Sequence, residues 1–207
     1  KGTIVNLVVI GSGAREHALT WKLLEHQQPS SKRRVYTIPG NAGCSDSVPI
    51  DLKDHRAISD FCRKKDVKLV IIGPEQSLAD GLSDHLRQEG ICVFGPSQRA
   101  SKLESSKIYA KEFMQRYGVS TASHWVVSKH QEALDIITEL AGNCVLKYDG
   151  LAAGKGVVVC ASITEAKKAL EHLESKYGKN FDLVIEQRLY GREVSIFALC
   201  DGKNFAL

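Results

Sequence analysis

No apolar run in this 207-residue chain is longer than a few residues, so no segment suffices to cross a membrane as a helix. Secretory n- and h-regions and the N-x-S/T sequon are also missing, which leaves no mark of an exported glycoprotein. The six cysteines, at 44, 62, 92, 144, 160 and 200, make no CxxC pair and keep no regular spacing. They read as reduced thiols buried in strands and on helix faces, and they predict a cytoplasmic protein. The seven histidines, at 17, 26, 55, 85, 124, 130 and 172, lack metal-ligand spacing, so no metal site is expected among these residues. No Ser-His-Asp or Cys-His arrangement is suggested either. Charge of neither sign dominates: the net value is +4, with lysine and arginine spread along the chain, which argues against a nucleic-acid surface and leaves small anionic ligands open. The one dense basic run, Lys32-Arg33-Arg34, reads as a solvated approach to a strand.

What is present is an ordinary globular composition, 43% hydrophobic and 25% charged, in a chain long enough for one large domain or two small ones. Up to Phe94, short β-branched runs (4–10, 35–38, 68–72, 91–94) alternate with helical segments (14–26, 55–65, 78–89). Strands that are apolar throughout, joined by amphipathic helices, predict a parallel α/β sheet covered on both faces, with ligands at the carboxyl ends of its strands. From Lys102 the pattern changes to one long helix reaching Tyr117, then strands (124–127, 143–148, 157–160, 183–187, 193–199) that read as antiparallel pairs. Two helices interrupt them, the second opened by a Ser162/Glu165 capping box. We therefore place a domain boundary near residue 100, with a Rossmann-like parallel α/β domain over 1–101 and an α+β domain over 102–207. Asp201-Gly202 signals a hairpin whose second strand stops with the chain, which predicts a fragment of a longer protein.

Three strand ends are unusual. After the first strand, Gly11-Ser12-Gly13-Ala14-Arg15-Glu16 keeps two glycines of a G-x-G-x-x-G loop but puts Glu16 at the third. It is weak evidence for a dinucleotide. Its glycines still let backbone amides and a helix N-terminus approach an anion. Pro39-Gly40-Asn41-Ala42-Gly43 and Gly73-Pro74-Glu75 follow the next two strands and belong to the same sheet edge. Three polar, turn-rich ends on one rim point to a binding site.

The ordered set GSGAREHA, PGNAG, GPE, FGP, LESSKIYAKEFM, KYDGLAAGKGV and EQRLYGREVS, spread from Val5 to about Ser195, closely resembles the phosphoribosylamine–glycine ligase (glycinamide ribonucleotide synthetase) family of purine biosynthesis. That resemblance implies an N-terminal substrate domain (1–101) followed by the first part of an ATP-grasp domain with its small flap (102–207). It also implies the joining of glycine to 5-phosphoribosylamine with ATP through an acyl phosphate. Gly11, Ser12, Gly13, Gly40 and Asn41 would then hold the ribose phosphate, with Glu75 near the sugar or amine. Lys107, Lys147 and the loop Gly150, Gly154, Lys155 and Gly156 would take the ATP phosphates. The stretch Glu186-Gln187-Arg188-Leu189 would pair through its backbone with adenine, and Glu193 would accept from the ribose hydroxyls. The resemblance further implies magnesium or manganese, with its ligands and the glycine pocket expected beyond residue 207. An inactive fragment and possible fusion to other purine-pathway domains are expected on the same ground. Another ATP-grasp carboxylate-amine ligase, or a non-catalytic nucleotide-binding module, stays open beside this reading. A dinucleotide oxidoreductase fits poorly.

The segment LKYDGLAAGKGVVVC, 146–160, superficially looks like a P-loop. Three residues rather than four separate Gly150 from Gly154, no Ser or Thr follows Lys155, and strands flank both sides. It reads instead as the tip of a β-hairpin whose glycines form a flap over a triphosphate. Lys147 follows Val145 and Leu146 in a core-lining strand, and a buried lysine needs a partner, which a phosphate would supply; the alternative is an ammonium that snorkels to solvent at the strand end. Lys107, on a charged helix, draws its assignment from the resemblance alone.

Overall fold

The computed structural model describes residues 3–25, 31–152, 155–178 and 181–207. The chain divides into two compact units, Lys1–Ser120 with Tyr148–Gly156, and Thr121–Lys147 with Val157–Leu207. Among the described residues no helix is long and apolar enough to cross a membrane.

In the first unit, β1 (Thr3–Gly11), β2 (Ser31–Pro39), β3 (Val67–Ile72) and β4 (Val93–Phe94) form a parallel sheet in the order β2-β1-β3-β4. Alternate residues of one strand point to opposite faces, and both faces are covered. Val8 and Ile10 join Ile38, Val70 and Ile72 in one core with Ile58 and Cys62 of α2 (His55–Lys64) and Leu82 and Leu86 of α4 (Leu82–Gln88). Leu7, Val9 and Val35 face the other way, against Leu23 and Leu24 of α1 (Ala14–Glu25). Each such side chain contributes about 2 kcal/mol on burial. In the second unit, β5 (His124–Val127), β6 (Cys144–Tyr148), β7 (Val157–Val159) and β8 (Leu183–Gln187) make a sheet in the order β5-β8-β6-β7. The β5–β8 and β6–β7 pairs are antiparallel, as the pattern predicts. Two helices accompany this sheet, α7 (His130–Glu139) and α8 (Ile163–Tyr177). The α8 cap forms as expected: Ser162 Oγ accepts the Glu165 amide at 3.2 Å, and Glu165 Oε2 accepts the Ala161 amide at 2.8 Å.

Several expectations need correction. The helix predicted over 78–89 is two, α3 (Glu75–Ala79) and α4, because Gly81 takes a left-handed φ of 87° at the α4 N-cap. The long helix 102–117 is also two, α5 (Gln98–Ser105) and α6 (Lys107–Arg116). Ser106 leaves helical geometry between them so that its Oγ can accept the Tyr109 amide at 3.1 Å. Lys32, Arg33 and Arg34 belong to β2 itself, paired with Ile4, Val5 and Asn6. An edge strand tolerates such polarity, and Arg34 forms a two-point pair with Asp46 at 2.8 and 3.1 Å. No strand forms over 193–198. Val194, Ile196 and Phe197 are exposed, and among the described residues no ladder partner lies beside them. The predicted hairpin does form, between β9 (Leu199–Cys200) and β10 (Phe205–Ala206), but with a four-residue loop in which Asp201 Oδ1 accepts the amides of Lys203 and Asn204.

Candidate active site

The parallel sheet puts its switch point beside β1. The connection through α1 leads to β2 on one side, whereas β3 lies on the other, so the loops leaving β1 and β3 diverge and open a crevice at their carboxyl ends. The glycine segments meet there. The Gly40 amide donates to the Gly11 carbonyl at 3.2 Å, and the Gly73 amide to that of Ile10 at 3.1 Å. Asn41 Nδ2 donates to the Ser12 carbonyl at 3.0 Å, while its Oδ1 accepts the Gly43 amide at 2.9 Å. Gly11, Ser12, Gly13, Gly40 and Asn41 are thus one assembly. A cleft of about 530 Å³ opens on the same unit between Pro39, residues 49–53, Pro74 and Asp80.

Two side chains that sequence reasoning left without a role sit at this rim. Glu16 is 4% exposed, and its Oε2 accepts the Gly13 amide at 2.8 Å. Arg15 reaches Glu75 Oε1 with Nη2 at 2.9 Å and stands with Nε 3.6 Å from Glu16 Oε1. Glu75 opens α3, and its own amide, aided by Arg15 and against the effect of burial, holds its carboxyl below the usual carboxylate range. It therefore persists as an anionic acceptor. The sequence signal for Glu16 was its failure to be the third glycine.

Also in the first unit, the glycine loop after β6 is tied to the start of α6. Asp149 Oδ1 accepts the amides of Lys107 and Ile108 at 2.6 and 3.2 Å, and its Oδ2 accepts from Ser106 Oγ at 3.2 Å. Lys107 Nζ donates to the Gly150 carbonyl at 2.9 Å, so Lys107 and Gly150 are neighbours, with Asp149 as a member the sequence reading missed. The Lys155 amide donates to the Ala152 carbonyl at 2.9 Å and the Tyr148 amide to that of Gly156 at 2.8 Å, the pattern of a hairpin tip and not of a P-loop. Gly154 lies outside the described residues.

The second unit holds the other predicted residues. Lys147 Nζ lies 2.7 Å from Glu186 Oε1, with side-chain exposures of 27% and 9%. Glu186 thus supplies a partner for the half-buried Lys147, so its place in the strand does not by itself require a phosphate. The Gln187 amide donates to Ser123 at 2.9 Å and the Arg188 amide to Asn143 at 3.4 Å, which commits both donors. Leu189 and Glu193 are exposed, and Glu193 stands in irregular chain instead of opening a strand. Among the described residues no group of three His, Cys, Asp or Glu side chains is placed to hold a metal ion.

Comparison with known proteins matches two family models in succession. Residues 5–104 match the family model of the phosphoribosylglycinamide synthetase N domain, and residues 105–207 that of its ATP-grasp (A) domain. The chain belongs to the phosphoribosylglycinamide synthetase family. It is 40% identical over 206 residues to the phosphoribosylamine–glycine ligase of Neisseria meningitidis serogroup B, covering 97% of this chain and 48% of that one. It is 43% identical over 209 residues to the human trifunctional purine biosynthetic protein adenosine-3, again over 97% of this chain but 20% of the relative. The crystal structure of phosphoribosylamine–glycine ligase from Thermotoga maritima superposes with a TM-score of 0.76 at 30% identity, over 97% of this chain and 48% of that one. This family member thus spans about half the length of the ligases it matches.

Proposed function

We propose that this chain serves an ATP-dependent ligase that joins glycine to 5-phosphoribosylamine, yielding glycinamide ribonucleotide, ADP and phosphate through glycyl phosphate. The observation that carries the reading is 40% identity, continuous over 97% of the chain, to a protein named for that reaction. A glycine carboxylate oxygen attacks the γ-phosphorus of ATP, and ADP leaves with the bridging oxygen. The amine nitrogen then attacks the acyl carbon, the carbon–oxygen bond to phosphate breaks, and the nitrogen loses a proton. Little covalent help is required of the protein, so positioning and charge carry the rate.

In this reading Gly11, Ser12, Gly13, Gly40 and Asn41 bind the phosphoribosyl group and the ionised Glu75 accepts from its hydroxyl or amine. Lys107 and Lys147, with Gly150, Gly154, Lys155 and Gly156, serve the ATP phosphates. Adenine pairs with the backbone of 186–189, and Glu193 takes the ATP ribose. Magnesium or manganese supplies charge neutralisation on a transferring phosphoryl group. Among the described residues no group of three His, Cys, Asp or Glu side chains would hold it. The trifunctional relative extends the proposal to fusion with further purine-biosynthetic domains.

The test is ADP release by the full-length protein, expected only when ATP, glycine and phosphoribosylamine are all present. Turnover that ignores glycine, or that accepts bicarbonate in its place, would overturn the reading.

A further inference from the structure

We propose that Glu16 is itself the anion bound by the first glycine loop, so that this loop receives the hydrogen-bond-donating end of the sugar substrate, its amine or hydroxyls, and excludes its phosphate. The inference rests on the phosphoribosylamine reading and assigns an orientation within it. A glycine loop opening a helix ordinarily attracts a phosphate through its amides and the helix dipole. Here the Gly13 amide is already given to Glu16 Oε2 at 2.8 Å, at the head of the twelve-residue α1. The space is filled as well as the donor: a Cβ on Gly11, Gly13 or Gly73 would overlap the Glu16 side chain, so the glycines at the ends of β1 and β3 make room for this carboxylate.

The second observation is electrostatic. Glu16 is 4% exposed, yet its Oε1 accepts no hydrogen bond among the described residues. A buried carboxylate oxygen without a donor is costly, which points to a donor that arrives with the ligand. Arg15, with 64% of its side chain exposed, is shared between Glu16 and Glu75. Two carboxylates against one guanidinium leave the crevice negative, which repels a phosphate and attracts an amine or a hydroxyl. Glu16 Oε1 and Glu75 Oε1, both held by the exposed Arg15, are the acceptors this end of the crevice offers.

Glu16→Gln in the full-length protein keeps the shape and an acceptor for the Gly13 amide while removing the charge. We expect inorganic phosphate to bind about tenfold more tightly, and KM for phosphoribosylamine to rise about tenfold with kcat little changed. A purely structural role would not move the two affinities in opposite directions. Phosphate affinity that is unchanged or weakened would overturn the inference. If the variant does not fold, the unmutated protein crystallised with ribose 5-phosphate carries the test. A sugar hydroxyl at Glu16 or Glu75 supports the proposal, and a phosphate oxygen on the Gly13 amide ends it. Failure of ribose 5-phosphate to compete with phosphoribosylamine at all would instead remove the underlying reading, and the inference with it.

Discussion

Cysteine and lysine carry the most direct residue-scale consequences. Cys92 and Cys200 are exposed, contrary to the expectation that all six thiols are buried, because Cys92 lies just before the two-residue β4 and Cys200 in the exposed β9–β10 hairpin. Burial pushes the Cys62 thiol up to about 11 and the Cys144 thiol up to about 12, and raises Cys160 as well, with the Glu165 charge adding to it. The thiolate is the reactive form, so iodoacetamide at pH 8 should label Cys92 and Cys200 at least tenfold faster, by rough estimate, than Cys62, Cys144 or Cys160. Peptide mass mapping of the native protein reads this directly, and equal labelling would contradict the burial described. Lys147 is the ion-pair partner of Glu186 and a proposed ligand of the ATP phosphates, and the two roles can be separated. Removing it takes the ion-pair partner from a largely buried carboxylate, and breaking such a pair costs up to about 3 kcal/mol. Lys147→Ala should therefore lower thermal stability as well as ATP affinity, whereas Lys155→Ala should weaken ATP binding much less than Lys147→Ala does. Calorimetric titration with ATP beside a melting curve distinguishes the two losses. Loss of stability with unchanged ATP affinity would confine Lys147 to a structural role.

At the scale of elements, helix packing in the first unit brings His55, the first residue of α2, to a ring-centroid distance of 5.7 Å from His85 of α4. Burial chiefly, then the neighbouring His85 charge, lowers the His55 pKa from 6.5, against weaker opposite effects of Asp80 and Asp54. The sign follows from linkage: below pH 6.5 the unfolded chain takes up a proton that folded His55 resists. Stability is thus full above that pH and falls as acidification continues towards the lower folded value. Urea denaturation between pH 7.5 and pH 5.5, as rough limits of the histidine range, should show this loss, and His55→Gln should shrink it. An identical pH profile for wild type and variant would exclude the histidine pair as its source.

For the whole molecule, the βα alternation of the first half was legible because strands buried on both faces must be apolar throughout, and helices between them must be amphipathic. The candidate rim was legible for the same reason, since glycine-rich strand ends in a parallel sheet all fall on one edge. Less was legible where local pattern competes with partners. Val194, Ile196 and Phe197 alternate like a strand, but a strand exists only with a ladder beside it, and among the described residues none is supplied. Ser106 and Gly81 interrupt helices that periodicity runs through, because a cap depends on one side chain or one φ value and leaves no periodic trace. The amino-acid sequence by itself determined the parallel sheet, the antiparallel second half, the family and the edge on which the glycine-rich loops gather, because these follow from periodicity, from turn residues and from ordered motifs. Only the tertiary structure decided that Glu186 answers the charge of Lys147, that Asp149 caps the helix beginning at Lys107, and that Glu16 occupies the first glycine loop. Those are encounters between residues distant in the chain, or choices of rotamer within a crowded turn, and charge and shape settle them only once the backbone has brought the groups together.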